Sequence, residues 1–291
     1  MPLEPVPEMM QAARSGEYAI GYFESWSIET LQGVIDAAET SRSPVIIGFN
    51  GEFLSRDGRL EPERLSVYAA LAVAAAESAK VPCGLIFNEC AQDDWVEEAV
   101  SLGFNLVMPA DAHAPPDEYR GRVARLTAIA HEHGVAVEAE LGELPYGNSG
   151  NGALTDPDEA AAFVETTEVD LLAVSAGNVH VKLEGRQALD LEHLQIIADK
   201  VNIPLVLHGG SGIDDESLKR AIHVGVTKIN YGTCLKQTYL AALRSKLDTD
   251  QADPHELLGM GGDPDIMVAG RRAVRDEVLR RMNVIGCGSR A

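Results

Sequence analysis

Short, unbroken apolar runs alternate along this chain with longer stretches that are apolar on one side only. The runs are Tyr18–Phe23, Pro44–Phe49, Pro82–Phe87, Phe104–Met108, Ala136–Glu140, Leu171–Ser175, Pro204–Leu207 and Val226–Asn230. Each has strand length, and continuous hydrophobicity is the pattern of parallel strands covered on both faces. Between them, Ser27–Thr40, Glu61–Lys80, Gln92–Leu102, Asp117–His133, Asp156–Thr166, Asp190–Val201 and Asp214–His223 read as helices. Eight such β/α units in 291 residues predict an α/β fold, one (β/α)8 TIM barrel domain over residues 1–291. A doubly wound open sheet is the alternative, but no G-x-G-x-x-G follows the first strand. Beyond the eighth unit, Asp263–Asn283 predicts an extra C-terminal amphipathic helix. Its apolar side is available for subunit contact, so a homo-oligomer is expected.

A barrel of this kind places its chemistry on the C-terminal ends of its strands. Those ends read Glu24, Asn50, Asn88-Glu89-Cys90, Glu140, Asn178-Val179-His180, His208 and Asn230-Tyr231-Gly232-Thr233, a polar set at the ends of apolar strands. His180 and His208, from strands six and seven, suit a zinc ion, and Cys90, Glu89 or Glu140 could complete the shell. After His208 come Gly209, Gly210, Ser211 and Gly212, then a helix start at Asp214. Glycines there let the backbone approach an oxyanion, and first-turn N–H groups point at the same place. His113 follows strand four closely enough to join the site, whereas His131, His133, His193, His223 and His255 read as surface or packing residues.

Composition narrows the partners. The formal net charge of -21 repels nucleic acid and anionic membrane, so neither is expected as a partner. No apolar run approaches the roughly 18 residues of a spanning helix, and the first residues lack the basic and apolar regions of an export signal. Four cysteines without a C-x-x-C spacing suit a reducing compartment, and the expected location is the cytoplasm.

Several stretches, taken in order, resemble the class II, metal-dependent fructose- and tagatose-bisphosphate aldolase family. They are Leu31–Glu39 with Ser43-Pro-Val-Ile, Val137–Gly142, Thr155–Ala161, Gly177–His180, Leu207–Ile213, Lys228-Ile-Asn230 and Gly286–Ser289. The resemblance implies a bound zinc, or another divalent metal, polarising a ketone carbonyl. It implies His180 and His208 as metal ligands, with Glu140 at a shifted or second metal position. It also implies Asn178, Gly209, Gly210, Ser211, Asn230 and Thr233 as substrate and phosphate contacts.

The departures from that family sit at strand ends. At the end of strand three, where relatives carry histidine-x-aspartate-histidine, Cys90 replaces the third zinc histidine and Glu89 the proton-shuttling aspartate. Glu24 stands where an asparagine is usual, Val181 for a glycine, Glu184 for a lysine and Ala110 for an aspartate. The loop Gly147–Gly152 lacks a catalytic glutamate. These changes imply an aldolase-like metal-dependent lyase acting on a small ketose phosphate or related sugar derivative other than fructose 1,6-bisphosphate. Glu89 or Glu24 is its expected general acid/base. An isomerase or epimerase of sugar phosphates and a catalytically silent anion-binding barrel are the alternatives.

Overall fold

The computed structural model describes residues 3–111, 114–142, 144, 153–248 and 253–291. Strands β1 (Ile20–Glu24), β2 (Val45–Asn50), β3 (Cys83–Cys90), β4 (Leu106–Pro109), β5 (Ala136–Leu141), β6 (Leu171–Val174), β7 (Leu205–Leu207) and β8 (Val226–Tyr231) pair in chain order. All pairings are parallel, and β8 returns to β1 to close the barrel. The predicted barrel is the observed one. Outside it run α2 (Ile28–Ser41), α4 (Leu65–Ser78), α5 (Asp93–Ser101), α6 (Pro116–Glu132), α7 (Pro157–Thr167), α8 (Leu191–Lys200), α9 (Asp215–Val224) and α10 (Thr233–Leu247). Shorter helices α3 (Gly51–Ser55) and α11 (Pro254–Leu257) lie in the connections.

Side chains at the helix starts hold the turns on the mouth side. Ser27 and Thr30 form a reciprocal capping box at α2. Asp156, Asp190 and Asp214 each accept first-turn N–H groups at α7, α8 and α9. Such caps satisfy donors that a helix leaves unpaired and fix the preceding loop. The loops that carry the site are thereby tied to rigid helices.

Two helices lie outside the repeat. The first, α1 (Val6–Ser15), is not predicted by the apolar runs above, and it packs against the N-terminal ends of the strands, with Val6 and Met9 against Gly84 of β3, as a plug at the barrel floor. Val6, Met9, Met10 and Ala13 are buried there, with Met10 Sδ 3.4 Å from Thr227 Oγ1 at the start of β8. The second is the C-terminal α12 (Ile266–Val284), and its place corrects the expectation of a free contact face. It packs between α2 and α10, burying Gly270, Val274, Val278 and Met282. Gly33 permits this approach, since a Cβ there would lie 2.7 Å from the Arg271 carbonyl oxygen. Arg271 then reaches Asp36 at 2.6 and 2.7 Å. The apolar side of α12 is buried within the chain.

Candidate active site

At the barrel mouth a cavity is lined by residues from most of the strands, among them Glu24, Asn50, Asn88, Glu89, His180, His208, Ser211, Asn230, Thr233 and Lys236. Its centre is His208, only 1% exposed, at the end of β7. His208 Nε2 lies 2.9 Å from Glu138 Oε1, and the other carboxylate oxygen of Glu138 is 2.7 Å from Lys228 Nζ. Glu138 and Lys228 have no exposure at all, and Lys228 also donates to Asn230 Oδ1 at 2.6 Å. An ion pair this deep persists only when both partners are fully engaged. Burial would raise the Glu138 carboxyl, but Lys228 and His208 hold it below its usual range. Burial likewise lowers the Lys228 ammonium, and Glu138 limits the fall. The chain Lys228–Glu138–His208 thus fixes the ring so that Nδ1 faces the cavity.

Nδ1 of His208 points at two carboxylate oxygens, Glu89 Oε1 at 2.9 Å and Glu140 Oε2 at 3.0 Å. His180 Nε2 lies 3.3 Å from the same Glu89 oxygen. Glu89 Oε2 accepts from Asn50 Nδ2 at 2.6 Å. Burial alone would raise the Glu89 carboxyl, yet the two imidazoles hold it well below the usual range. Glu89 in turn raises His180 to about 9. Burial would lower His208, but Glu140, Glu138 and Glu89 keep it well above its ordinary value.

The backbone of β3 decides which side chains reach this centre. In a regular strand Asn88 and Cys90 would share the inner face and Glu89 would face the helices. Glu89 instead adopts a left-handed conformation, φ 54°, and the β3–β4 register shifts between Phe87 and Cys90. This irregularity turns Glu89 inward beside Asn88 and carries Cys90 to the outside of the wall. The Cys90 thiol is fully buried, donates to the Gln92 carbonyl at 3.4 Å and lies 3.9 Å from Ser55 Oγ. Burial pushes it up to about 11, far from a thiolate. Cys90 does not line the cavity, and Glu89 stands between the imidazoles where the sequence reading placed the thiol.

The remaining sequence candidates fall into two groups. Glu24, Gly209, Ser211, Asn230 and Thr233 line the cavity. Gly210 and Asn178 lie behind it. A Cβ on Gly210 would approach Ile229 Cγ2 at 2.5 Å, so this glycine serves packing against β8. Asn178 accepts from Ala176 N at 2.8 Å and donates to the His208 carbonyl at 3.0 Å, joining the ends of β6 and β7. Gly209 has φ 68°, and a side chain there would overlap the Val179 carbonyl oxygen. His113 and the loop Gly147–Gly152 lie outside the described residues. Sequence reasoning missed Glu138, Lys228 and Lys236. A signal for the first two existed, since each sits two residues before a strand-end candidate on the same face, and a charge inside an apolar parallel strand demands a partner.

These residues are of the types that bind cations. His208 Nδ1 and Glu140 Oε2 are buried and lie 3.0 Å apart, with Glu89 Oε1 2.9 Å from the same nitrogen. Two imidazoles beside two carboxylates are donor types suited to zinc. As placed, no group of three or more His, Cys, Asp or Glu side chains among the described residues is spaced to hold a metal ion. On the other flank, Glu24 at the end of β1 is 7% exposed and accepts from Lys236 Nζ at 2.6 Å. Burial raises the Glu24 carboxyl more than Lys236 lowers it. The centre therefore offers a carboxylate held charged and a second carboxyl that exchanges its proton more readily.

The model for class-II fructose-bisphosphate aldolase matches residues 4–290. The chain belongs to the class-II fructose-bisphosphate aldolase family. Among its relatives, a probable fructose-bisphosphate aldolase of Bacillus subtilis is 30% identical and covers 100% of both chains. The 6-phospho-5-dehydro-2-deoxy-D-gluconate aldolase of Halalkalibacterium halodurans is 32% identical over 86% of this chain and 87% of its own. The crystal structure of the YdjI aldolase from Escherichia coli K12 superposes with a TM-score of 0.83, at 32% identity and covering 100% of both chains. The protein is accordingly an aldolase-like carbon-carbon lyase of the class-II family. No helix among the described residues is long and apolar enough to cross a membrane.

Proposed function

We propose that this lyase cleaves a polyhydroxylated ketose derivative, with a divalent ion, zinc by preference, held by His180, His208 and Glu89 beside Glu140. The observation that carries this reading is His208 Nδ1, buried and aimed at the Glu89 and Glu140 carboxylates. Bound there, the ion would polarise the substrate carbonyl and stabilise negative charge developing beside it. The chain's own residues supply the rest. Lys228 and Glu138 fix the His208 ring, Asn178 holds its backbone carbonyl, and Asn50 orients Glu89. Second-layer contacts of this kind set ligand orientation and basicity.

Glu24 is the group assigned to proton transfer. It takes the proton from the hydroxyl on the carbon to be released, the O–H electrons form the aldehyde carbonyl, and the breaking C–C bond passes its electrons toward the ketone. Returning a proton to the new carbon restores Glu24. Its raised carboxyl supports that task, because efficient acid/base groups titrate near the working pH. Changing Glu24→Gln keeps the shape and removes the proton. The single-turnover cleavage rate should then fall roughly 100-fold or more with zinc content unchanged. A normal rate in that variant would remove Glu24 from the chemistry.

Assembly and location belong to the same reading. The outward side of α4 exposes Val67, Ala70, Leu71 and Ala74, with no charge between Arg64 and Glu77, in a chain of which 24% is charged. Two copies related by a twofold axis, with α4 antiparallel, set Ala70 against Leu71 and Arg64 against Glu77, which pairs opposite charges at both ends. The partner proposed for this face is a second copy of this chain. Four free, buried cysteines fit a cytoplasmic protein.

A further inference from the structure

Glu24 occupies more than the flank of the cavity. A Cβ on Gly232 would overlap Glu24 Oε2, so the carboxylate lies directly against the backbone that opens α10. Ser211 and Thr233 line the same pocket. Ser211 Oγ accepts from Cys234 N at 3.2 Å, which ties the glycine-rich turn to the first turn of α10. Backbone donors and a helix start gathered in this way form a seat for an anion. Here the Glu24 carboxylate already stands beside it, against Gly232. On its far side Lys236 Nζ is engaged by Glu24 Oε1 at 2.6 Å and lies 4.2 Å from the centre of the Phe53 ring. The cation that would attract a phosphate is therefore already paired.

We propose that Glu24 is an internal anion in the seat between Ser211 and the start of α10, so that the substrate places there an uncharged, hydrogen-bond-donating hydroxymethyl group rather than a phosphate. A phosphate dianion in that seat would meet a carboxylate 7% exposed, with little water to screen the repulsion. A hydroxyl gains an acceptor. This inference rests on the proposed cleavage reaction for its substrate but not for its test, because occupancy of the seat can be read without turnover.

Inorganic phosphate is the first probe, titrated calorimetrically into the zinc-loaded protein. The unmodified chain should bind it at least tenfold more weakly than Glu24→Gln and Glu24→Asn, both of which remove the fixed charge. Because these variants also release Lys236, the pair Lys236→Gln and Glu24→Gln/Lys236→Gln is titrated alongside. The double variant should still bind phosphate at least tenfold better than Lys236→Gln alone. Equal affinity in every member of the set would overturn the proposal. The second probe compares dihydroxyacetone with dihydroxyacetone phosphate as nucleophile in aldol addition by the unmodified protein. A kcat/KM at least tenfold higher for the unphosphorylated ketone is expected, and a preference for the phosphate sinks the idea. If neither ketone reacts, the lyase reading fails while the phosphate titration still decides the role of Glu24.

Discussion

Glu89 sits with one carboxylate oxygen between two imidazoles, and its left-handed backbone is what brings it there. Non-glycine residues rarely adopt that conformation, and it persists only when surrounding contacts over-determine it. Asn50 and the two histidines are those contacts. If Glu89 is a ligand, Glu89→Gln should weaken zinc binding by roughly tenfold or more, because an amide is a poorer ligand than a carboxylate. Cys90→Ser should leave zinc content unchanged and cost only stability, about 1 kcal/mol or more for a changed buried side chain. Both outcomes can be read by metal analysis and thermal melts of the purified variants, and zinc loss in Cys90→Ser would reverse the assignment. Alternation along a strand is legible in a sequence, and it places Cys90 inward on the same face as Asn88. One residue in an unusual backbone conformation inverts that parity, and nothing in the local residue types announces it. His208 and its glycine-rich turn were legible because strand, metal-competent ring and anion cradle coincide in one short stretch. Glu138 and Lys228 are harder, since their meaning depends on each other across the barrel.

The helices carry predictions of their own. Asp265, 1% exposed at the start of α12, accepts from Gly259 N and Gly261 N at 2.9 and 2.8 Å, and from Met267 N and Val268 N at 2.9 and 3.4 Å. Burial pushes its carboxyl up, but these donors hold it below the usual range. Asp265→Asn loses acceptor capacity for part of this set, at a cost of about 1–3 kcal/mol. A carboxyl lowered on folding contributes stability above its unfolded value, about 3.9. That contribution disappears as pH falls through the folded value. The margin of the unmodified chain over Asp265→Asn, measured by urea unfolding, should stay level from about pH 7 to about pH 5 and narrow below about pH 4. A margin that grows on acidification would contradict the cap. The repeating elements were legible because each buried strand is a continuous apolar run. The floor helix α1 was not, since it is short and begins in a proline-rich segment, although Val6, Met9, Met10 and Ala13 fall at helical spacing. For α12 the amphipathic pattern identified a helix but could not say which apolar surface it would cover.

At the scale of the whole molecule, the uncharged side of α4 is the place where two strongly acidic chains can approach without bringing like charges together. The net charge of -21 otherwise opposes association. Leu71→Glu should convert a dimer to a monomer in light scattering, with the melting temperature of the barrel little changed, because Leu71 is already 38% exposed in the single chain. An assembly unaffected by that charge would place the contact elsewhere. The plug formed by α1 has a kinetic consequence of a different kind. With its base stopped by methionines, the barrel is a vessel with one door, and both fragments of a cleaved substrate leave by the route through which it entered. The fragment nearer the door departs first, the one lodged against the metal-binding residues second, and in the reverse direction the order of entry is inverted. Product inhibition should accordingly follow an ordered pattern, competitive for the inner fragment and noncompetitive for the outer one.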